Sequence, residues 1–369
     1  VRLDWLELRD FRSYRDLHLE PDPGVNVLVG DNGAGKTNVL EAISYLSALR
    51  SFRRAPDEAL VRDGAGEAIV RGGFSRSSGE VRVEVQIRLE GRRSVLLNGK
   101  RPSRHAAVAA EVPLVSFLPD DLDMVKRGPA LRREYLDDLA AQLAPAAGAD
   151  RAEYDKALRQ RNALLRRDGR DTDPLTLDVW DRRLAEAAGK VLEHRLTLLE
   201  RLVPWIENAY RTVGDDTAVL RPTYVAKWAE VPPVGSGRVP AAGELAEALV
   251  VALGERRRRD LEQRTTTAGA HRDEPGFELD GMAVRTRASQ GEQRSVALSM
   301  RLAAYHMLED RHGRPPILLL DDVFSELDLS RVSGVMELLP RGQVFVTTAR
   351  DDDVAVEGRR WMVEGGRLT

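Results

Sequence analysis

Cysteine is absent from the 369 residues, which excludes disulfide staples and thiolate metal sites and is compatible with a reducing compartment. Lysine is scarce. Lys36, Lys100, Lys126, Lys156, Lys190 and Lys227 are all there are, so nearly all of the 56 basic residues are arginine. The arginine fork suits phosphate contacts, yet the coding bias of a GC-rich genome accounts for the same skew, and the plainer account is preferred. Net positive charge is missing too: the formal balance is −3 with a pI near 6.2, so any nucleic-acid site has to be a local patch. No apolar run approaches the length of a membrane span. At the N-terminus Asp4 and Glu7 interrupt the apolar pattern, where a signal peptide would carry an unbroken core. These absences point to a cytoplasmic protein without membrane contact. The 42% of residues that are hydrophobic suffice, in a chain of this length, for real cores and two domains.

One stretch carries clear chemistry. Gly30-Asp31-Asn32-Gly33-Ala34-Gly35-Lys36-Thr37 matches the phosphate-binding pattern GxxxxGK[ST] at every fixed position. The run Val25-Asn26-Val27-Leu28-Val29 before it reads as a buried strand, and Val39, Leu40, Ile43 and Leu46 after it fall at helical spacing. In such a strand-loop-helix the glycines turn successive N–H groups onto phosphate oxygens, and the new helix adds its positive end. Lys36 is expected to reach the β and γ phosphates, and the Thr37 hydroxyl to ligate Mg²⁺. A glycine-rich turn that merely starts a helix is the bland alternative; the complete pattern with both flanks argues against it.

Elsewhere the texture changes three times. Residues 2–19 read as two strands and a turn that lead into the loop strand, and Arg50-Ser51-Phe52-Arg53-Arg54 is either a phosphate or DNA contact or a solvated helix end. From Ala68 to Leu97 the period is two (Val81, Val83, Val85, Ile87, Leu89), which predicts an antiparallel sheet with one wet face. Past Gly128-Pro129 the chain reads as helical to about Arg264, with a seam at Leu192, Leu196, Leu199, Val203, Ile206 and Tyr210. Pro204 inside the seam should kink or restart that helix. The seam is too short for a long coiled coil, so a compact helical arm is expected. Arg256 to Arg259 form either a DNA contact or an exposed face paired with Glu255, Asp260 and Glu262, the latter being preferred.

A phosphate loop needs a carboxylate for its metal, and Ile317-Leu318-Leu319-Leu320-Asp321-Asp322 supplies a buried strand ending in two acids. Asp321 is expected to bind Mg²⁺, directly or through water, and Asp322 to align the attacking water as general base. Ser289-Gln290-Gly291-Glu292-Gln293 opens a good helix and matches the SxGxQ signature of ABC-type ATPases, while Ser325-Glu326-Leu327-Asp328 stands where those proteins place their D-loop.

On these residues the chain resembles the RecF family, bacterial recombination-repair ATPases whose heads are similar to those of SMC proteins. The resemblance also takes in Leu8 to Tyr14, Asn38 and Glu41 after the loop, Phe117 to Asp121 with Lys126, Gly128 and Pro129, and Thr267 to Asp273 with Gly269 and His271. It implies an α/β fold: an ABC-type ATPase head, made of a P-loop α/β core plus an antiparallel β subdomain, with an inserted α-helical arm. The expected boundaries are 1–127 and 265–369 for the head and 128–264 for the arm. It further implies that ATP, cradled by residues 30–37 and Asn38, is capped by Ser289, Gly291 and Gln293 of a second copy, so that ATP joins a homodimer. Lys36 and Asp322 would then serve hydrolysis. The implied setting is DNA repair, replication, recombination and the SOS response, with gapped, single-stranded or junction DNA and other recombination-mediator proteins as partners.

Departures from the family pattern shape the expectations. Asp322 is one methylene shorter than the glutamate common at its position, which predicts slow turnover. A histidine usually follows the later strand, but Val344-Phe345-Val346 leads to Thr347-Thr348, either of which could take the γ-phosphate contact. No glutamine occupies the loop after Phe117, so Asp120 or Asp121 could serve instead. The nucleotide-binding subunit of an ABC transporter is the alternative function; the separation of Thr37 from Ser289 is too long for a transporter cassette. A metabolic P-loop kinase or GTPase has no use for the signature. His271-Arg272-Asp273 spells a kinase triplet, but Glu278 stands where the magnesium-binding Asn belongs.

Overall fold

The computed structural model describes residues 1–103, 106–214, 217–323, 342–351 and 357–369. In chain order the first elements are β1 (Arg2–Phe11), β2 (Tyr14–Leu19), β3 (Val25–Val29), α1 (Lys36–Ala48), β4 (Glu67–Arg76), β5 (Gly79–Arg88), β6 (Ser94–Leu97), α2 (Ala106–Glu111) and β7 (Leu114–Phe117). Then come α3 (Asp121–Lys126), α4 (Ala130–Leu143), α5 (Pro145–Asp168), α6 (Pro174–Val213), β8 (Leu220–Val225) and α7 (Ala242–Gln263). The last are β9 (Glu274–Leu279), β10 (Met282–Ala283), α8 (Val284–Arg287), α9 (Gln290–His312), β11 (Ile317–Asp321), β12 (Val344–Thr348), β13 (Arg359–Glu364) and β14 (Arg367–Leu368). None of the described helices is long and apolar enough to cross a membrane.

The chain divides into two compact units, residues 1–121 with 212–214 and 298–369, and residues 122–211 with 215–297. The first unit holds two sheets. An antiparallel one has the order β2-β1-β4-β5-β6, and a second, parallel except for β14, has the order β14-β13-β3-β12-β11-β7. In β5 buried Val81, Val83, Val85 and Ile87 alternate with exposed or half-exposed neighbours, the wet-faced pattern expected from period two. One core cluster joins both sheets to α1, whose Val39, Leu40, Ile43 and Leu46 are fully buried. Gly72 of β4 makes room for that helix, since a Cβ there would strike Leu46.

The second unit is built on α4 to α7. The expectation of helix throughout fails there. Leu220–Val225, inside the stretch read as helical, is a strand: β8 pairs with β9 in a three-stranded sheet, Leu220 opposite Leu279 and Tyr224 opposite Pro275. That pairing gathers residues 265–297 with the helices rather than with the rest of the expected C-terminal head segment. Of the two outcomes expected at Pro204, a restart is excluded, because α6 runs through it for 40 residues. Pro204 lies on the exposed side of α6, where water can satisfy the carbonyl that loses its partner. The seam itself is buried except for half-buried Val203.

Charged side chains are set into this second, mainly apolar core. Arg161 donates to Asp181 at 2.6 Å and to Asp260 at 2.8 Å, with Thr266 at 2.9 Å, and is fully buried. Arg195, also fully buried, binds Asp137 bidentately at 2.7 and 2.9 Å and donates to the Ala270 carbonyl. Asp273 accepts from Tyr224 Oη at 2.7 Å and Trp228 Nε1 at 2.6 Å. The kinase-like triplet is therefore structural. Of the Arg256–Arg259 run, Arg256 donates to the Thr267 and Lys227 carbonyls, Arg257 to Asp178 and Asp181, and Arg258 to Glu262. Three of the four guanidinium groups are thus engaged inside the unit, but of the expected pairings only that of Arg258 with Glu262 is present, and half-buried Arg256 and Arg257 take other partners. Asp260, read as a partner of that face, turns inward to Arg161 instead.

Candidate nucleotide site

The parallel sheet places the phosphate loop at the end of β3, beside β12 and one strand further from β11. The loop closes without strain because glycine stands where only glycine fits. Gly35, at φ 115°, adopts a left-handed backbone, and a Cβ on it would press on Ser13 Oγ and the Tyr14 ring. Tyr14 Oη donates to the Gly35 carbonyl at 3.1 Å, so the β1–β2 turn braces the loop from behind. That turn is itself pinned to α1, because Arg12 forks onto Glu41 at 2.8 and 2.9 Å and Ser51 Oγ donates to the same carboxylate. Glu41 is fully buried, which gives the acid after the loop a structural reason.

Lys36 folds back across the loop, its ammonium donating to the Gly30 carbonyl at 2.5 Å and the Asp31 carbonyl at 2.9 Å. Burial lowers its pKa, against the pull of Asp322, Asp321 and Asp31. Asp31, Asn32 and Gly33 are exposed and Ala34 half-buried, an open rim suited to a ligand that arrives from solvent. Asn38, in the first turn of α1, donates to Ser13 Oγ at 2.9 Å and accepts a long 3.4 Å bond from Arg53. Arg53 also acts electrostatically on Asp321. One arginine of the 50–54 run therefore borders the loop, as its phosphate reading requires, while Ser51 is buried in the Glu41 cluster.

The acidic strand meets the loop across 284 residues of sequence: Thr37 Oγ1 donates to Asp321 Oδ1 at 2.8 Å. Asp321 is 6% exposed, and burial raises its carboxyl pKa, while hydrogen bonds from Thr347 and Thr37 and the charge of Arg53 pull it down and that of Asp322 adds to the rise. A hydroxyl and a carboxylate so joined are hard oxygen donors of the kind Mg²⁺ takes when the remaining ligands are phosphate and water. Asp322 follows in a left-handed conformation, φ 50°, half-buried, a backbone that aspartate tolerates better than most residues.

Other expected residues take different parts. The threonines after β12 are engaged within the fold: Thr347 Oγ1 donates to Asp321 Oδ1 at 2.8 Å, and Thr348 Oγ1 donates to the Arg350 carbonyl at 2.8 Å. Asp121 receives Arg301 at 2.5 and 3.1 Å and caps the Leu118 N–H at 2.9 Å, so it is a structural anchor at the start of α3. Asp120 beside it is exposed. Ser325, Glu326, Leu327 and Asp328 lie outside the described residues.

The signature lies in the second unit, at the start of α9. Ser289 is exposed and Gly291 half-buried. Ser289 N–H donates to Glu292 at 2.6 Å and Glu292 N–H to Ser289 Oγ at 3.3 Å, a reciprocal capping box that sets the first turn. Gln293 is turned inward, donating to the Ala288 carbonyl at 3.1 Å and that of Val284 at 3.4 Å. It shapes the turn that presents Ser289.

Residues 2–362 match the family described as RecF/RecN/SMC N terminal domain. The chain is 42% identical, over 99% of its length and 98% of the relative's, to the DNA replication and repair protein RecF of Acidothermus cellulolyticus. It is 39% identical to that of Renibacterium salmoninarum over 97% of both chains. Among solved structures it is similar to the recombination mediator protein RecF-ATP in the RecFOR pathway, with a TM-score of 0.91, 28% identity and coverage of 100% and 97% of the two chains. The RecF-ATPrS form of that mediator gives 0.90 at 30% identity, over 99% of this chain and 97% of that one. An SMC head bound to the C-winged helix domain of ScpA gives 0.56 at 18% identity, over 99% of this chain and 94% of that one, which speaks for the shared fold alone.

Proposed function

The chain belongs to the RecF/RecN/SMC N-terminal domain family, in its RecF branch, and from that premise we propose that it is an ATP-dependent DNA-binding protein of replication and recombinational repair. The observation that carries the reading is the Thr37–Asp321 bond. It makes one site from a phosphate loop and an acidic strand that sequence separates widely. Nothing in the structure favours the transporter subunit, and the relatives matched over the whole chain are repair proteins.

In this reading ATP lies on residues 30–37 of one protomer, with Asn38 and Arg53 at its border. Mg²⁺, which would neutralise phosphate charge, is held by Thr37 and Asp321. Lys36 leaves the Gly30 and Asp31 carbonyls for the β and γ phosphates. Ser289 and Gly291 of a second protomer cap the γ-phosphate with the N–H groups and positive end of α9, and Gln293 supports that turn. The affinity of this cap for ATP over ADP shifts monomer to dimer. Asp322 orients the water, and its short side chain keeps turnover slow, as suits a switch. The dimer acts in the cytoplasm as a clamp on gapped, single-stranded or junction DNA, alongside other mediator proteins. In this functional division residues 1–127 and 265–369 serve as head and 128–264 as arm.

Sedimentation of an Asp322→Asn variant with ATP and Mg²⁺ tests the reading. Blocked hydrolysis should trap the dimer; a species that stays monomeric at saturating ATP rules the composite site out.

A further inference from the structure

Thr347 is one of the two threonines to which the sequence offers the γ-phosphate contact. Its hydroxyl has one proton, and that proton goes to Asp321 Oδ1 at 2.8 Å, while a lone pair accepts the Asp322 N–H at 2.9 Å. The side chain is 1% exposed. Strand register dictates the contact, because β12 lies between β3 and β11 and sets Thr347 directly beside Asp321 on one flank and Leu28 on the other. Thr37 donates to the same Oδ1 from the loop side. With two hydroxyls on Oδ1, Oδ2 is the oxygen left over, and among the described residues it takes no hydrogen bond.

We propose that Thr347 is a positioning residue for the metal carboxylate. It rotates Asp321 so that Oδ2 faces the metal and, through the Asp322 amide, holds the left-handed backbone that aims the Asp322 side chain. The inference rests on the reading of Asp321 as the Mg²⁺ carboxylate. A hydroxyl that serves both acids ties the angle of one to the place of the other, which a valine of the same shape cannot do. Partners of this kind orient metal ligands without touching the metal, and their loss typically costs about 10-fold or more in metal affinity or activity.

The test compares Thr347→Val, Thr347→Ser and Asp321→Ala in the full chain, with a fluorescent ATP analogue titrated in EDTA and across a Mg²⁺ series, and hydrolysis followed in parallel. Thr347→Val should leave nucleotide affinity in EDTA unchanged and raise by about 10-fold the Mg²⁺ concentration at which binding and hydrolysis respond. Thr347→Ser should restore the parent dependence, since it keeps the hydroxyl. If Asp321→Ala shifts the Mg²⁺ response and Thr347→Val does not, or if Ser behaves as Val, the positioning role is overturned while the metal assignment stands. If Asp321→Ala shifts nothing, both fall. Should Thr347→Val fail to fold, Thr347→Ala removes the hydroxyl and is read the same way.

Discussion

In the second unit Arg161, fully buried, meets two aspartates and a threonine. In the first, the buried Lys36 of the phosphate loop donates to two backbone carbonyls and forms no ion pair among the described residues. Both are cations withdrawn from water, and the difference lies in what faces them. Two carboxylates in a low dielectric hold Arg161 to one geometry. Its worth is specification of the packing, since a buried pair gives little net stability against apolar replacements. Neutral carbonyls satisfy the Lys36 ammonium without cancelling its charge, so a polyanion can draw it away. Asp321 is held in the same way as Lys36, taking neutral hydroxyls and, among the described residues, no cation in ion-pair contact. Neutral partners alone do not mark a site, since buried Arg132 also donates to backbone carbonyls; what sets Lys36 and Asp321 apart is that both border the phosphate loop.

The comparison breaks most visibly on stability. Arg161→Ala takes from buried Asp260 its one ion pair among the described residues and leaves Asp181 with Arg257, and should cost about 3–5 kcal/mol in denaturant unfolding. Lys36→Met leaves only carbonyls behind and should cost at most about 1 kcal/mol, yet reduce ATP hydrolysis by about 100-fold or more. Equal losses of stability in the two variants would erase the distinction drawn between the regions.

Smaller, and dependent on pH, is the effect of His271 in the second unit. Its Nε2 faces the Thr266 carbonyl at 3.1 Å and its Nδ1 lies 2.6 Å from Tyr154 Oη. A carbonyl only accepts, so Nε2 carries the proton and Nδ1 accepts from the tyrosine. Burial pushes the imidazole pKa down to about 4, with the Thr266 bond opposing and Arg272, Arg133 and Arg151 assisting. The folded value lies below the unfolded one, so the unfolded chain takes its proton first. Stability is therefore fully present above about pH 6.5 and is lost as the pH falls toward 4, by at most about 3 kcal/mol. Urea midpoints measured between those limits should fall with pH, and His271→Gln should flatten the slope; an unchanged slope would show that His271 is not kept neutral by its burial.

Much of the site is legible in sequence because its chemistry is local: eight contiguous residues build the loop, and five hydrophobic-to-acidic ones carry the strand to Asp321. The parts that escape are those made by distant pairing. β8 is six residues long and holds Pro222, which lacks an N–H for the ladder, and it pairs with β9 about 50 residues further along the chain, so it is easily lost inside a stretch that reads as helical on either side. Arg161, Arg195 and Asp260 sit among helical charges that look solvated, and only the fold reveals that they face inward. Thr347 and Thr348 stand where the family usually has a histidine, which points to a phosphate contact for either, whereas the hydroxyl of Thr347 meets an acid on the next strand. Likewise Asp121 has the look of a site residue until Arg301 is found against it.

The central claim is that one ATP is held by the loop of one protomer and the signature of another. Mixing two inactive variants, Lys36→Met and Ser289→Arg, tests it most directly, because a mixed dimer joins the intact loop of the second to the intact signature of the first. Hydrolysis should be negligible for each alone and return on mixing. If the mixture hydrolyses no more ATP than the separate proteins, the two halves do not complete one another across a dimer.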